Sequence, residues 1–237
     1  MDTTLGEMLP EYKYSNKANV TLKEMLSHYA RLKAWIPFYT HTLDTVTHKP
    51  AAKYYSKTPT EKFNIPVAED LYMRRDYQDS IFKIIKESEL RPVRGYKYSD
   101  LPYYILKKYL EEFYGAPLET LVQRNYYESL GANHTTYLPL NKFPKSMIVP
   151  TEEDNSFRMQ KVQGYVHDQG AAMLGGVSGH AGLFSTSNDI AKIKPKIVVT
   201  ARVRDWFLLT SKRSTSKTVH AVSNTIISGI IGVKSVK

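Results

Sequence analysis

The chain has 237 residues, 42% of them hydrophobic and 24% charged, enough apolar material for one globular domain and at most two small ones. Its formal charge is +10 at pH 7, but nine Lys or Arg against the single acid Asp205 lie between Lys194 and Lys237. The first 193 residues therefore carry only +2 and offer nucleic acid no concentrated basic footprint; the absence of cysteine excludes disulfides, thiolate metal sites and a cysteine nucleophile.

In chain order, Met1 to Met8 shows no basic stretch followed by an apolar core, so no secretion signal is expected. Thr21 followed by Glu24 fits a capping box and predicts a short helix running toward His28. Residues 30–66 interleave aromatics such as Trp35, Phe38 and Tyr55 with Pro37, Pro50, Pro59 and Pro66, a pattern for an ordered, aromatic-rich loop region. From Val67 to about Ser88, Leu71, Ile81, Ile84 and Ile85 recur at helical spacing, which predicts the longest helix of the chain.

Another helix should start at Leu101 or Pro102, with Ser99 or Asp100 capping its first amides, a stripe of Ile105, Tyr109 and Phe113, and a stop at Gly115. Pro117 to about Tyr127 reads as a further helix closed by Gly131, and the polar run Thr151 to Asn155 among Pro139, Pro144 and Pro150 reads as connection. Gly170 to Gly182 then brings five glycines in thirteen residues before Ser185-Thr186-Ser187-Asn188-Asp189, a cluster of N-capping residues. The longest apolar run, around Thr225 to Val233, falls far short of the roughly twenty residues that span a bilayer, so no transmembrane segment is expected.

Four pieces in one order carry a likeness: Leu22-Lys23-Glu24-Met25-Leu26-Ser27-His28; Tyr98-Ser99-Asp100-Leu101; Tyr114 to Glu119 with Tyr127 to Ala132; and Gly175-Gly176-Val177-Ser178-Gly179-His180-Ala181-Gly182-Leu183-Phe184-Ser185-Thr186. Together they resemble the middle of a beta-lactamase-related, penicillin-binding-protein-like serine hydrolase of class C type. The wording around Trp35-Ile36-Pro37-Phe38-Tyr39 further resembles domains of this family fused behind family 3 glycosidases in Bacteroidetes-type bacteria. The resemblance implies acylation by a serine and a lysine at i and i+3 on one helix, a spacing that puts hydroxyl and amine on one face. It also implies that Tyr98 stands at the middle-motif tyrosine and Asp100 where asparagine is often found, that Arg31 replaces a frequent glycine, and that Pro102 replaces a small residue. These make Tyr98 and Asp100 the candidate catalytic residues.

Two Ser-x-x-Lys matches occur, Ser80 with Lys83 and Ser214 with Lys217, and both read as chance pairs away from the family's position. His180 between glycines, and His167 beside Asp168, read as structural: a loop histidine without a second ligand is usually so, and residues adjacent in sequence seldom face each other. The eighteen tyrosines read as packing more than as a sugar-stacking surface.

The resemblance implies an α+β, beta-lactamase/transpeptidase-like fold, here truncated and helix-dominated with an incomplete antiparallel sheet, over residues 1–193. Residues 194–237 read as a basic tail, disordered or out of frame. The expected function is that of a serine-hydrolase fragment, of a kind that hydrolyses a beta-lactam, a peptidoglycan peptide or an ester through an acyl-enzyme, inactive alone because the Ser-x-x-Lys motif is missing. The alternative is a non-catalytic module associated with a fused or adjacent family 3 cell-wall glycosidase. No cofactor, metal or nucleic-acid partner is expected, and the parent family's location is the periplasm or cell envelope.

Overall fold

The computed structural model describes residues 1–193. The chain opens with two short helices, α1 (Leu5–Met8) and α2 (Leu22–Leu26), each started by a threonine whose amide donates to a glutamate three residues on: Thr4 to Glu7 at 2.7 Å and Thr21 to Glu24 at 2.9 Å. The predicted capping box is therefore present, and Thr4 with Glu7 adds an unpredicted one. Lys17, fully buried between these helices, donates from Nζ to Asn16 Oδ1, Lys86 O and Ser88 O. It places a cation at the C-terminal end of the third helix, where the helix dipole favours one, and burial pushes its amine down to about 8.

Residues 30–54 form an ordered loop region with a 3-10 turn at Phe38–Thr42, but the loop expected to run on to Pro66 is corrected, because strands begin at Tyr55. The chain then builds a three-stranded antiparallel sheet, β1 (Tyr55–Ser56), β2 (Phe63–Ala68) and β3 (Leu71–Arg74), in the order β1-β3-β2. The expected long helix from Val67 is thus corrected. Asp70 takes a left-handed φ of +51° after Glu69 and folds residues 63–74 into a hairpin, so the helix α3 starts only at Tyr77 and ends at Glu87. Tyr77, Ile81 and Ile85, four residues apart, supply its buried stripe.

The longest helix among the described residues is α4 (Leu101–Tyr114), ended by left-handed Gly115 as expected. Its apolar stripe is only partly as predicted. Leu101, Pro102, Tyr103, Tyr104 and Ile105 are buried all round the first turn, whereas Phe113 is 65% exposed because the C-terminal half runs out over the surface. Helix α5 (Leu118–Val122) continues into a single π turn at Gln123–Tyr127, closed by left-handed Gly131.

The polar run read as connection is the strand β4 (Pro150–Asp154), paired antiparallel with β5 (Gln160–Gln163). Its acids belie a strand by propensity, but Arg158 gathers them: its Nε donates to Asp154 at 2.6 Å and its Nη2 to Glu152 at 2.9 Å. The short helix α6 (Gln169–Met173) and the glycine turns after it lead to a helical segment at residues 187–193, where the capping cluster predicted one. One main core joins α3, the start of α4 and α6 to the loop region through Ile81, Ile85, Leu101, Tyr104, Phe157 and Met173. Fully burying each such side chain contributes about 1.5–3 kcal/mol. No helix among the described residues is long and apolar enough to cross a membrane.

Candidate active site

A small cleft lies where three stretches meet: Trp35–Tyr39, the start of α4 with Asp100, Leu101 and Tyr104, and the start of α6 with Asp168, Gln169 and Gly170. Ser99 supplies the cap of α4: its hydroxyl accepts from the Leu101 amide at 3.2 Å and donates to Lys33 O at 2.6 Å. Asp100 makes no capping bond, and its carboxylate is left to line the cleft. Tyr98, 42% exposed, stands near enough for the Asp100 carboxylate to act on its phenol.

Burial, then the Asp100 charge and hydrogen bond, push the Tyr98 phenol up to about 12. Burial also holds Asp100 above the usual carboxylate range; Asp168 adds to the effect, while His180 and the Tyr98 hydroxyl oppose it.

Asp168 caps α6, accepting from the Ala171 amide at 2.7 Å, and the same Oδ1 lies 3.1 Å from His180 Nε2. His180 Nδ1 lies 2.8 Å from Ser178 Oγ, and its ring stacks on Tyr104 at 4.6 Å between centroids. Burial is the largest influence on Asp168 and pushes it up. The hydrogen bond and charge of His180 and the Ala171 amide outweigh it and hold the carboxyl below its ordinary value. One cleft thus holds two carboxylates displaced in opposite directions, the pattern by which an acid and a base are kept distinct.

Two glycines permit this arrangement. Gly182 has φ +113° and passes so close to Gly176 O that a Cβ would lie 2.2 Å from it, while a Cβ on Gly170 would lie 1.8 Å from the Tyr104 hydroxyl. Arg158 steadies the approach to Asp168 from behind, donating to Val166 O and His167 O at 2.6 Å each.

Ser178, His180 and Asp168 form a hydrogen-bonded string like that of a nucleophile, its base and an orienting acid. Ser178 is 0% exposed, however, so no substrate carbonyl reaches its oxygen. The string is a buried brace for the cleft wall.

Sequence reasoning placed Tyr98 and Asp100; the structure puts Asp100 in the cleft lining and Tyr98 within its electrostatic reach. It missed the Asp168–His180 pair. His180, read as structural, is built into the cleft wall, because the glycine turns carry it back over α6 to Asp168, twelve residues earlier. The readable signal was Asp168 itself, a capping residue directly ahead of the glycine-rich stretch. The His167 carbonyl accepts from Arg158, and the Asp168 carboxylate meets His180. Lys83 approaches Glu87 at 4.0 Å on the outer face of α3, and Ser214 with Lys217 lies outside the described residues, as does the whole segment 194–237. Arg31, expected where glycine is frequent, has a left-handed φ of +60°. Among the described residues no group of three or more His, Cys, Asp or Glu is arranged to hold a metal.

The sequence profile of the family described as beta-lactamase matches residues 1–218. The chain belongs to the beta-lactamase family. Its α+β architecture is accordingly the beta-lactamase/transpeptidase-like fold, represented here by mixed helices and two small antiparallel sheets. A relative from Escherichia coli K12, named "Putative D-alanyl-D-alanine carboxypeptidase", is 37% identical over 142 residues, which make up 54% of this chain and 32% of that protein. The chain thus spans about a third of the length of the curated relatives it matches. Among solved structures, the octameric penicillin-binding protein homologue from Pyrococcus abyssi aligns with a TM-score of 0.47 at 15% identity, covering 84% of this chain and 39% of that one. A beta-lactamase/D-alanine carboxypeptidase from Pseudomonas syringae aligns with a TM-score of 0.44 at 11% identity, covering 94% and 47%. Within this beta-lactamase-family chain, Asp100 and Asp168 line the cleft described above, and His180 is bonded to Asp168 behind it.

Proposed function

We propose that this chain is one piece of an acyl-enzyme serine hydrolase acting on a beta-lactam, a peptidoglycan peptide or an ester, that Tyr98 and Asp100 are its site residues, and that it does not acylate alone. The observation that carries this reading is the electrostatic setting of Tyr98. A tyrosine acts as a base near neutral pH only when a neighbouring cation lowers its pKa; here burial and two carboxylates raise it to about 12. An ammonium group placed against Tyr98 and Asp100 would lower both pKa values, and a lysine three residues after a serine is the family's way of supplying one. The name carried by the Escherichia coli relative supports the peptide member of the three substrate classes. No observation favours the glycosidase-associated alternative.

The purified chain should be incubated with a fluorescent penicillin, with nitrocefin and with a peptide ending in D-alanyl-D-alanine, and followed by intact mass and turnover. Neither adduct nor turnover is expected. A stoichiometric acyl adduct on one of its own serines would overturn the inactivity, and an adduct mapped to Ser178 would also overturn its reading as a buried brace. Genomic DNA on either side, read in all frames, is expected to recover a Ser-x-x-Lys helix upstream and a Lys- or His-led triplet ending in glycine downstream. Flanks without them would count against the fragment.

A further inference from the structure

We infer that His28 is the positioning residue for Tyr98, holding the backbone amides on both sides of it. The inference rests on the reading of Tyr98 as a site residue. The Lys97 amide donates to the His28 carbonyl at 3.0 Å, and the Ser99 amide donates to His28 Nδ1 at 3.3 Å. One residue, seventy positions earlier, therefore fixes the main chain at 97 and at 99, with Tyr98 between. The imidazole also lies against the Tyr98 ring, 4.5 Å between centroids, so the clamp reaches both backbone and side chain.

Three features argue that the ring is there for this contact and not for filling the core. His28 ends α2 with a left-handed φ of +61°, a conformation that glycine or asparagine adopts more cheaply. Accepting from the Ser99 amide requires a bare Nδ1, which puts the proton on Nε2, and that buried N–H has no acceptor among the described residues. An unsatisfied buried donor costs stability, so the ring is unfavourable by its own hydrogen-bond balance. Finally, Ser99 passes the constraint on, since its hydroxyl ties Lys33 O to the first amide of α4. The titratable groups in ring contact with His28 are the phenols of Tyr96, Tyr98 and Tyr103, and burial raises the last two. Burial holds the imidazole below its ordinary 6.5. Acid therefore removes the clamp by one event, protonation of Nδ1, which converts the acceptor into a donor facing the Ser99 N–H.

The test compares the full chain with His28→Leu and His28→Asn by amide hydrogen exchange resolved at Lys97 and Ser99, and by the nuclear Overhauser contact between the Tyr98 ring and the Asp100 β-protons. Asparagine offers an oxygen near the place of Nδ1 and tolerates the left-handed backbone. In His28→Leu the Ser99 amide should exchange about tenfold faster relative to Lys97, as loss of one hydrogen bond implies, and the Tyr98–Asp100 contact should weaken. His28→Asn should restore both. Should His28→Leu fail to fold, the wild-type chain still decides: the Ser99 to Lys97 protection ratio should fall as pH drops below 6.5. Unchanged Ser99 protection in His28→Leu, a folded His28→Asn that behaves like a folded His28→Leu, or a flat wild-type ratio would overturn the inference. None of these readouts depends on acylation, so the positioning role and the proposed function fail separately.

Discussion

Arg158 spends all of its guanidinium in the interior: Nε meets Asp154, Nη1 meets Val166 O, and Nη2 meets Glu152 and His167 O. Removing it as Arg158→Met would strand the buried Asp154 charge and is expected to destabilise the chain by about 3–5 kcal/mol, read from the midpoint of urea unfolding. The same pair predicts an acid limb. Burial opposes ionisation of Asp154, but Arg158 and the Phe157 and Ser156 amides hold its pKa below the ordinary value, and Asp168 is lowered likewise. A carboxyl with a depressed folded pKa contributes stability above its unfolded value, about 3.9, and loses that contribution as pH falls further. Asp100 has the opposite sign. At this scale the sequence was legible where a residue announces its own position, as Tyr98 does at a helix start. It was illegible for His180, whose partner is decided by two glycine turns.

Helix α6 is five residues long and holds its place in the site by contact more than by length. Gly170 admits the Tyr104 hydroxyl, and Tyr104 is itself buried between Phe38 and His180, so the phenol has nowhere to retreat. Gly170→Ala is expected to cost about 1–3 kcal/mol by overpacking and to break the Tyr104–His180 stack, seen as a lowered melting temperature and a changed near-ultraviolet dichroism. Element types were legible where a capping or closing residue marks a helix end, as Thr21 does for α2, Gly115 for α4 and Gly131 after α5. They were lost where pairing overrides propensity. Phe63–Arg74 folds on a left-handed aspartate, and the acidic β4 is a strand because Arg158 neutralises it.

Across the whole molecule, tyrosine does much of the packing. Tyr12, Tyr55, Tyr103, Tyr104, Tyr127 and Tyr137 are all buried, and burial raises every one of their phenol pKa values. A raised folded pKa makes the native state hold its proton longer than the unfolded chain. The stability this represents is fully present below about pH 10 and is lost as pH climbs beyond it. Tyrosinate absorbance from the buried set should therefore rise late, together with loss of helical dichroism. A single smooth rise with dichroism intact would contradict the burial.

The cleft is also a long-distance meeting. His28 comes from the first helices, Tyr98 to Tyr104 from the middle of the chain, and Asp168 to His180 from its last described part. The His180 stack on Tyr104 joins the last two of these stretches, so it is expected to report their assembly. A ring-current-shifted His180 resonance should emerge only in the final step of refolding, and a ribosome-bound nascent chain cut anywhere before the glycine turns should never display it.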